Sequence, residues 1–400
     1  MPYRKILLCV DNSPHSNLAV EQAGVIATAF KSTVVAAHVY AARLHDRRFV
    51  DLEPGLPSEY RDPKRLEASR HTHDSLIGEG LRMISDSYLQ AARARLDGLT
   101  VESKNIEGKN YLQLVAESRR GYDLTVLGAR GLGLSSMIGR CSEEALGSVC
   151  ERVLRSSRVD TLVVRDSRPP GGKIVVGVDG SPESYGALRK ALRLAATGGE
   201  QLEAVSCFDP HFHPVAFKSI AGVLSPEQAG AFRFDEQEQL HDHIINHGLE
   251  NLYTSYLDNA RTVARGRGQE IETRLLTGKP AYAIAERARQ LDSNLVVVGR
   301  FGLHRTDDLD IGSTAETVVR NSPGNVLVVN DETGGLDLRW TIEAKARLTK
   351  VPEFMRPMVG RAIESYAKAH NLRKVTAEVV NDAKLSHGVP VPGHSREPGS

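Results

Sequence analysis

The sequence predicts two α/β domains in tandem, each with a mostly parallel sheet covered by helices on both faces, and a small helical module after them. The first observation is a repeat. Arg4-Lys-Ile-Leu-Leu-Cys-Val-Asp11-Asn-Ser13-Pro14 returns as Gly172-Lys-Ile-Val-Val-Gly-Val-Asp179-Gly-Ser181-Pro182, and later segments recur at a nearly constant offset of about 165 to 171 positions, the mark of a duplication. The second is alternation: short apolar runs give way to alanine- and leucine-rich amphipathic stretches within each half, which is the pattern of a parallel sheet. The third is a glycine-rich segment after a strand in both halves.

In chain order, each half opens with a short buried-type strand that ends in Asp-x-Ser-Pro, a strand stop and helix cap. Helical stretches follow at Leu18–Phe30 and Tyr185–Ala196, then second strands at Ser32–Tyr40 and Gln201–Phe208. Residues 41–80 and 209–245 come next in the two halves. They are polar and poorly periodic, and read either as mobile surface loops or as lids over the carboxyl edge of the sheet. Tyr122-Asp-Leu-Thr-Val-Leu-Gly128 and Ser293-Asn-Leu-Val-Val-Val-Gly299 are further strands, and Thr161–Arg165 and Asn325–Val329 close the halves. The Pro-Gly stretch Ser167–Gly172 is the linker, so the domains are read as 1–168 and 172–331.

After a break at 332–339, the apolar positions Ile342, Ala346, Leu348, Met358, Val359, Ile363, Tyr366 and Ala367 suit helices, and Thr376-Ala-Glu378 resembles a helix start. This module, 340–385, is near the lower size limit for independent stability and is expected to dock on something. The tail 386–400, rich in Pro, Gly and Ser, is expected to be disordered.

Composition narrows the function. With 51 basic and 50 acidic residues, the net charge of +1 gives no global field for nucleic acid or membrane. No apolar run is long enough to cross a bilayer, and the N-terminus runs straight into a strand, which argues against a cleaved signal. The cysteines Cys9, Cys141, Cys150 and Cys207 lack paired spacing and are read as reduced thiols in a cytoplasmic protein.

The functional signal is Gly299-Arg300-Phe301-Gly302, nine residues, then Gly312-Ser313 ahead of a helix-like stretch from Thr314 to Asn321. A strand feeds a glycine loop that feeds a helix N-terminus. Glycines let backbone N–H groups approach an anion, and the helix end adds partial positive charge. In the first half Gly128-Ala-Arg-Gly131 is present, but Cys141-Ser142 stands nine residues on. The Gly-Ser pair occurs instead at Gly147-Ser148, which implies a six-residue insertion in the loop. The glycines also suit plain turns, and the Gly-Ser pairs, Asp11 and Asp179 also suit helix caps.

On the first-strand Asp, the G-x-x-G-nine-G-S pattern and the apolar last strand, the chain resembles the universal stress protein family over roughly 1–166 and 172–331. The resemblance implies doubly wound domains with five-stranded parallel sheets, pairing of the two last strands in a pseudo-two-fold arrangement, and a homodimer as one possible assembly. Some members bind ATP, with Mg²⁺ expected alongside. Carried onto this chain, the second copy would place Asp179 and Ser181 at the adenosine end. Val205 and Cys207 would lie along the adenine edge, and Gly299, Arg300, Gly302, Gly312, Ser313 and Thr314 around the phosphates and ribose. Arg300 is also compatible with a solvent-facing position. The weaker first site would comprise Asp11, Ser13, Val39, Gly128, Gly131, Gly147 and Ser148. The module resembles the C-terminal end of the light-independent protochlorophyllide reductase B subunit through Ala346–Phe354, Arg356, Arg361–Ala367 and Val375–Val380. That implies a shared structural unit, with protein docking or a tetrapyrrole connection as alternatives, and no reductase activity.

Catalysis is expected to be slow or absent. No G-x-x-x-x-G-K-[ST] occurs, so the lysine that reaches β/γ-phosphates in P-loop proteins is missing, and no nucleophile elbow is seen. Asp307, Asp308 and Asp310 read as a solvated acidic loop or as Mg²⁺ ligands. His211, His213, His241, His243 and His247, with His71 and His73 as a weaker echo, read as polar surface or as a transition-metal grip. The expectation is thus a nucleotide-binding stress regulator, with a non-nucleotide scaffold acting through the module as the alternative.

Overall fold

The computed structural model describes residues 3–135, 145–166, 168, 172–210, 246–303, 305, 310–330, 339–351, 356–370, 372 and 374–386. Two compact units are present: Met1–Pro170 with Pro323–Val328, and Gly171–Ser322 with Val329–Ser400.

The first unit runs β1 (Lys5–Cys9), α1 (Pro14–Phe30), β2 (Thr33–Tyr40), α2 (Ala42–Leu52), α3 (Pro63–Arg95), β3 (Val101–Glu107), α4 (Asn110–Ser118), β4 (Leu124–Gly128), the single turn α5 (Leu132–Ser135), α6 (Ser148–Ser156) and β5 (Asp160–Val164). The strands lie in the order β3-β2-β1-β4-β5, all parallel. Helices α1 and α3 cover one face, and α4 and α6 pack together on the other. Burial on both faces explains why β1 and β4 are apolar runs without alternation: Ile6, Leu7, Leu8, Leu124 and Val126 are fully buried. Residues 42–52 and 63–80, within the stretch 41–80 expected as an irregular insertion ahead of a long helix, are instead helical, and α3 runs on to Arg95. Asp62 caps α3 by accepting from the Arg65 N–H, and Pro63 supplies the first turn.

The second unit repeats this plan: β6 (Lys173–Gly177), α7 (Pro182–Gly198), β7 (Gln201–Phe208), α8 (Asn246–Arg265), β8 (Glu272–Thr277), α9 (Pro280–Gln290), β9 (Leu295–Gly299) and α10 (Ser313–Asn321). Its parallel strands lie in the equivalent order β8-β7-β6-β9. The last strand of the repeat, β10 (Asn325–Val329), runs antiparallel to β5, with Val326 opposite Val163 and Val328 opposite Thr161. Most of β10 therefore groups with the first unit, where a boundary at 168–172 had put it in the second.

The repeated Asp-x-Ser-Pro works the same way twice. Ser13 and Ser181 accept from the Ser16 and Ser184 N–H groups, and the following prolines occupy the first helical turn. The residue between Asp and Ser needs positive φ: Asn12 at 57° and Gly180 at 83°.

The C-terminal module has β11 (Arg339–Trp340) parallel to β12 (Lys374–Val375), with α11 (Ile342–Leu348), α12 (Arg356–Ala369) and α13 (Ala377–Ser386) around a core of its own. Ala344, Ile363, Ala367, Val375, Val380 and Ala383 form that core, with Trp340 and Tyr366 at its edge. The indole N–H of Trp340 donates to Glu364 Oε1 at 2.8 Å. The inward residue of α11 is Ala344, not Ile342 or Ala346, both of which are exposed. The tail beyond Ser386 and the linker at 169–171 lie outside the described residues.

Candidate functional site

Each unit has a cavity at the carboxyl edge of its parallel sheet, the place where open α/β sheets take ligands. In the second unit it measures about 210 Å³, and its walls include Asp179, Val205, Cys207, Gly299, Arg300, Gly302, Gly312, Ser313 and Thr314. The structure thus brings together every predicted residue of that set except Ser181. Ser181 is buried, and its hydroxyl is committed to the Asp179 carboxylate and the Ser184 N–H.

Asp179 is the keystone of the loop geometry. Its Oδ1 accepts from the Ser181 N–H at 3.0 Å, and its Oδ2 accepts from the Leu303 N–H at 3.0 Å. The carboxylate thereby ties the end of β6 to the glycine loop. Gly302 is required at the closest point, because a Cβ there would lie 2.4 Å from Asp179 Oδ2. Gly299 packs against the α7 backbone, where a Cβ would meet Glu183 C at 2.9 Å. Gly312 caps α10 and donates its N–H to the Arg300 carbonyl at 2.9 Å, which folds the loop back on itself. The nine-residue helix that follows points its N-terminus at the cavity through Ser313 and Thr314.

Arg300 is buried, which excludes the solvent-facing position open to it on sequence alone. Its Nε donates to the Asp310 carbonyl at 3.0 Å. Burial pushes its guanidinium pKa down to about 10, against the opposing pull of Asp310 and with a smaller contribution from Arg305. Arg305 covers the Phe301 ring at 4.3 Å and reaches Glu183 Oε1 at 3.4 Å. Two arginines, Arg300 and Arg305, therefore stand in the wall of the cavity beside the glycine loop. The wall also includes the apolar side chains Val205, Ile284 and Val298, and burial pushes the Cys207 thiol up to about 12, so it stays protonated.

The first unit has the larger cavity, about 410 Å³, lined by Asp11, Val39, Gly128, Gly131, Gly147 and Ser148 among others. Ser13 is again absent from the wall; its hydroxyl donates to the Arg130 carbonyl at 3.0 Å. The insertion does not move the Gly-Ser pair. Gly147 caps α6 at φ −67°, ψ 141°, as Gly312 caps α10 at φ −67°, ψ 140°. Gly147 donates to the Ala129 carbonyl at 2.8 Å, the counterpart of the Gly312 bond to Arg300. A Cβ on Gly131 would lie 2.5 Å from Asp11 Oδ2, repeating the Gly302 constraint. What differs is the chemistry. Ala129 stands where the second copy has Arg300, and Cys9 and Cys150 stand where it has Gly177 and Ala315.

Among the wall residues that the sequence does not single out are one from β2 and one from α8. His38 of β2 lines the first cavity, and its Nδ1 lies 2.6 Å from the Ser85 hydroxyl of α3. Burial holds its pKa below the ordinary histidine value, with Asp11 opposing weakly. Tyr253 of α8 lines the second cavity. Each comes from an element distant in sequence from the glycine loop, and no local motif marks it.

Of the histidines, His71 and His73 lie on α3, where His73 stacks on Phe49 at 4.3 Å and on His45 at 5.2 Å. His247 is exposed on α8. His211, His213, His241, His243, Asp307 and Asp308 lie outside the described residues. Among the described residues no group of three His, Cys, Asp or Glu side chains is placed to hold a metal ion. Cys9, Cys150 and Cys207 are free thiols. No helix among the described residues is long and apolar enough to cross a membrane.

Comparison with known proteins agrees with this geometry. The sequence profile of the universal stress protein family matches residues 2–165 and again 172–330. That of the proto-chlorophyllide reductase 57 kD subunit matches 340–384. A protein of Staphylococcus saprophyticus named as a universal stress protein is 27% identical over 161 residues, 40% of this chain and 83% of that one. A Staphylococcus aureus counterpart is 28% identical over 161 residues, covering 40% of this chain and 84% of its own length. Among solved structures, a universal stress protein from Archaeoglobus fulgidus aligns over 82% of this chain and 99% of its own, with TM-score 0.52 and 17% identity, a likeness of fold. With both repeats matched by one profile and both carrying the same loop geometry, the chain belongs to the universal stress protein family as a tandem member.

Proposed function

We propose that this protein is an adenine-nucleotide-binding stress regulator whose main site is the cavity of the second unit. One observation carries the reading. The Asp179 carboxylate, the Gly302 backbone and the N-terminus of α10 converge on one cavity whose wall carries both apolar side chains and two arginines. That combination suits a nucleotide, with the base against Val205, Ile284 and Val298 and the phosphates toward Ser313, Thr314, Arg300 and Arg305. In this reading Asp179 would face the adenosine end of the nucleotide. Mg²⁺ would arrive with the phosphates.

Turnover is expected to be slow at most, because no side chain of the described loop is placed to activate water. The first cavity keeps the frame, and although Ala129 aligns with Arg300, Arg130 lines that cavity and its Nε donates to the Ala145 carbonyl at 3.0 Å, as Arg300 Nε does to the Asp310 carbonyl.

Calorimetric titration of the full chain with ATP and Mg²⁺ tests the reading. Gly302→Val is expected to weaken ATP binding at least tenfold while the thermal midpoint shifts by only a few degrees, about the effect of 1 kcal/mol. A folded Gly302→Val chain with native affinity would sink the proposal.

A second reading, an adaptor acting through the module, is favoured by Ile342, which is 83% exposed beside the module core. Its test is co-purification of partners with and without residues 340–400.

A further inference from the structure

The two cavities differ by a paired exchange between strand and helix. His38 on β2 and Ser206 on β7 are 168 positions apart, as are Asp11 and Asp179. The same offset relates the buried positions of α3 and α8: Leu89 with Leu257, Ala92 with Ala260, and Leu96 with Ala264. It therefore relates Ser85 to Tyr253. The first unit has a large strand residue and a small helix residue, joined by the His38–Ser85 hydrogen bond. The second has a small strand residue, Ser206, whose hydroxyl turns back to the Val178 carbonyl at 2.7 Å, and a large helix residue.

The consequence is seen in the walls. Tyr253 lines the second cavity, whereas no α3 residue is among the described lining of the first. The Tyr253 ring is held from behind. Tyr256 meets it edge-on at 5.5 Å, and Phe208 lies 6.0 Å away at a 38° tilt. Tyr256 is itself 1% exposed, so this support is rigid. The ring shares the cavity with the apolar side chains of Ile284 and Val298 and with Val205.

We infer that Tyr253 is the residue that gives the second cavity its preference for a planar base: its ring, braced by Tyr256 and Phe208, stacks on the nucleobase of a nucleoside phosphate. The first cavity has Ser85 in that place and lacks the platform. This rests on the nucleotide reading of the second cavity and names the wall that selects the base.

The experiment uses the full chain, ATP, and the fluorescent analogue etheno-ATP, whose base emission is quenched on stacking. Tyr253→Phe keeps the ring and is expected to hold ATP affinity within about twofold and to retain the quench. Tyr253→Ser installs the residue of the first repeat. It is expected to weaken ATP about tenfold or more, the usual loss for one base–aromatic stack, and to abolish most of the quench. If Tyr253→Ser does not fold, Tyr253→Leu, which keeps apolar bulk without a ring, carries the same comparison. Native affinity and native quench in the folded Ser or Leu variant would overturn the inference while leaving the nucleotide site standing. No ATP binding by the native chain would overturn both.

Discussion

At the residue scale, two of the close approaches in the molecule fall at sequence-legible positions. Gly131 and Gly302 are glycine because a Cβ would strike an aspartate oxygen at 2.5 Å and 2.4 Å respectively. Spacing alone marks both, since the constraint acts between a strand-end Asp that the two copies share and a loop in the same repeat. Gly131→Val is therefore expected to leave the second site intact and to reduce only binding in the first cavity, which a two-site calorimetric fit would register. Arg300 was half legible. Its charge was visible, but its burial was not, because the carbonyl that holds it belongs to Asp310, ten residues on. His38 and Tyr253 were not legible at all, since they reach the cavities from β2 and α8 through packing and carry no local signature. Glu203 was equally hidden. It is an acid within an apolar strand, nearly fully buried, bonded to Arg287 Nε at 2.8 Å and Arg274 Nε at 3.1 Å. Burial alone would raise its pKa, but the hydrogen bonds and charges of Arg287 and Arg274 prevail and hold it below the ordinary glutamate value. A depressed folded pKa means stability that is present above the unfolded value of about 4.3 and lost as pH falls through the folded one. Glu203→Ala is expected to cost about 3 kcal/mol at neutral pH by leaving Arg287 uncompensated, and to flatten the acid limb of the stability profile below about pH 4.5. Urea unfolding at pH 7 and pH 3.5 would measure both.

At the element scale, the strands were read well and the long insertions were not. Apolar runs such as Lys5–Cys9 and Leu295–Gly299 carry their own signal because both sheet faces are covered. Edge strands β3 and β8 have only half-buried and exposed positions and are rich in Glu, Lys, Arg and Thr, so no apolar run marks them. Helix α3 starts at Pro63, well before the long helix expected after residue 80, and its start goes unmarked for a different reason. Its first half is almost entirely exposed, so no apolar period marks it, and only the Asp62–Pro63 cap betrays its start. The C-terminal module showed the reverse error, with helices seen but α11 assigned the wrong inward face. Alanine 344 packs inward and leaves Ile342 outside. Trp340, the one tryptophan of the chain, reports on this module directly. Ile363→Ala is expected to cost the module about 2–5 kcal/mol and to shift Trp340 emission to the red, while the far-ultraviolet signal of the repeats stays largely unchanged. An unshifted emission spectrum would mean that Ile363 is not part of the core that holds the indole.

At the scale of the whole molecule, duplication supplied one frame twice and divergence then acted on its contents. The six-residue insertion left the Gly147 cap where Gly312 stands in the second copy, so loop length changed without loss of the helix end. The substitution that matters is inside: the His38–Ser85 pair for Ser206–Tyr253, while Arg130 takes over the loop bond that Arg300 makes in the second copy. Unequal sites in one chain make binding stoichiometry the decisive observable. The first measurement is therefore calorimetry of the untreated full-length protein with ATP and Mg²⁺, after identification by mass spectrometry of any nucleotide released on denaturation. A single tight site per chain, abolished by Gly302→Val and spared by Gly131→Val, is the predicted result. Absence of both co-purified nucleotide and binding heat at several temperatures would contradict the central claim and leave the glycine loops as structural turns.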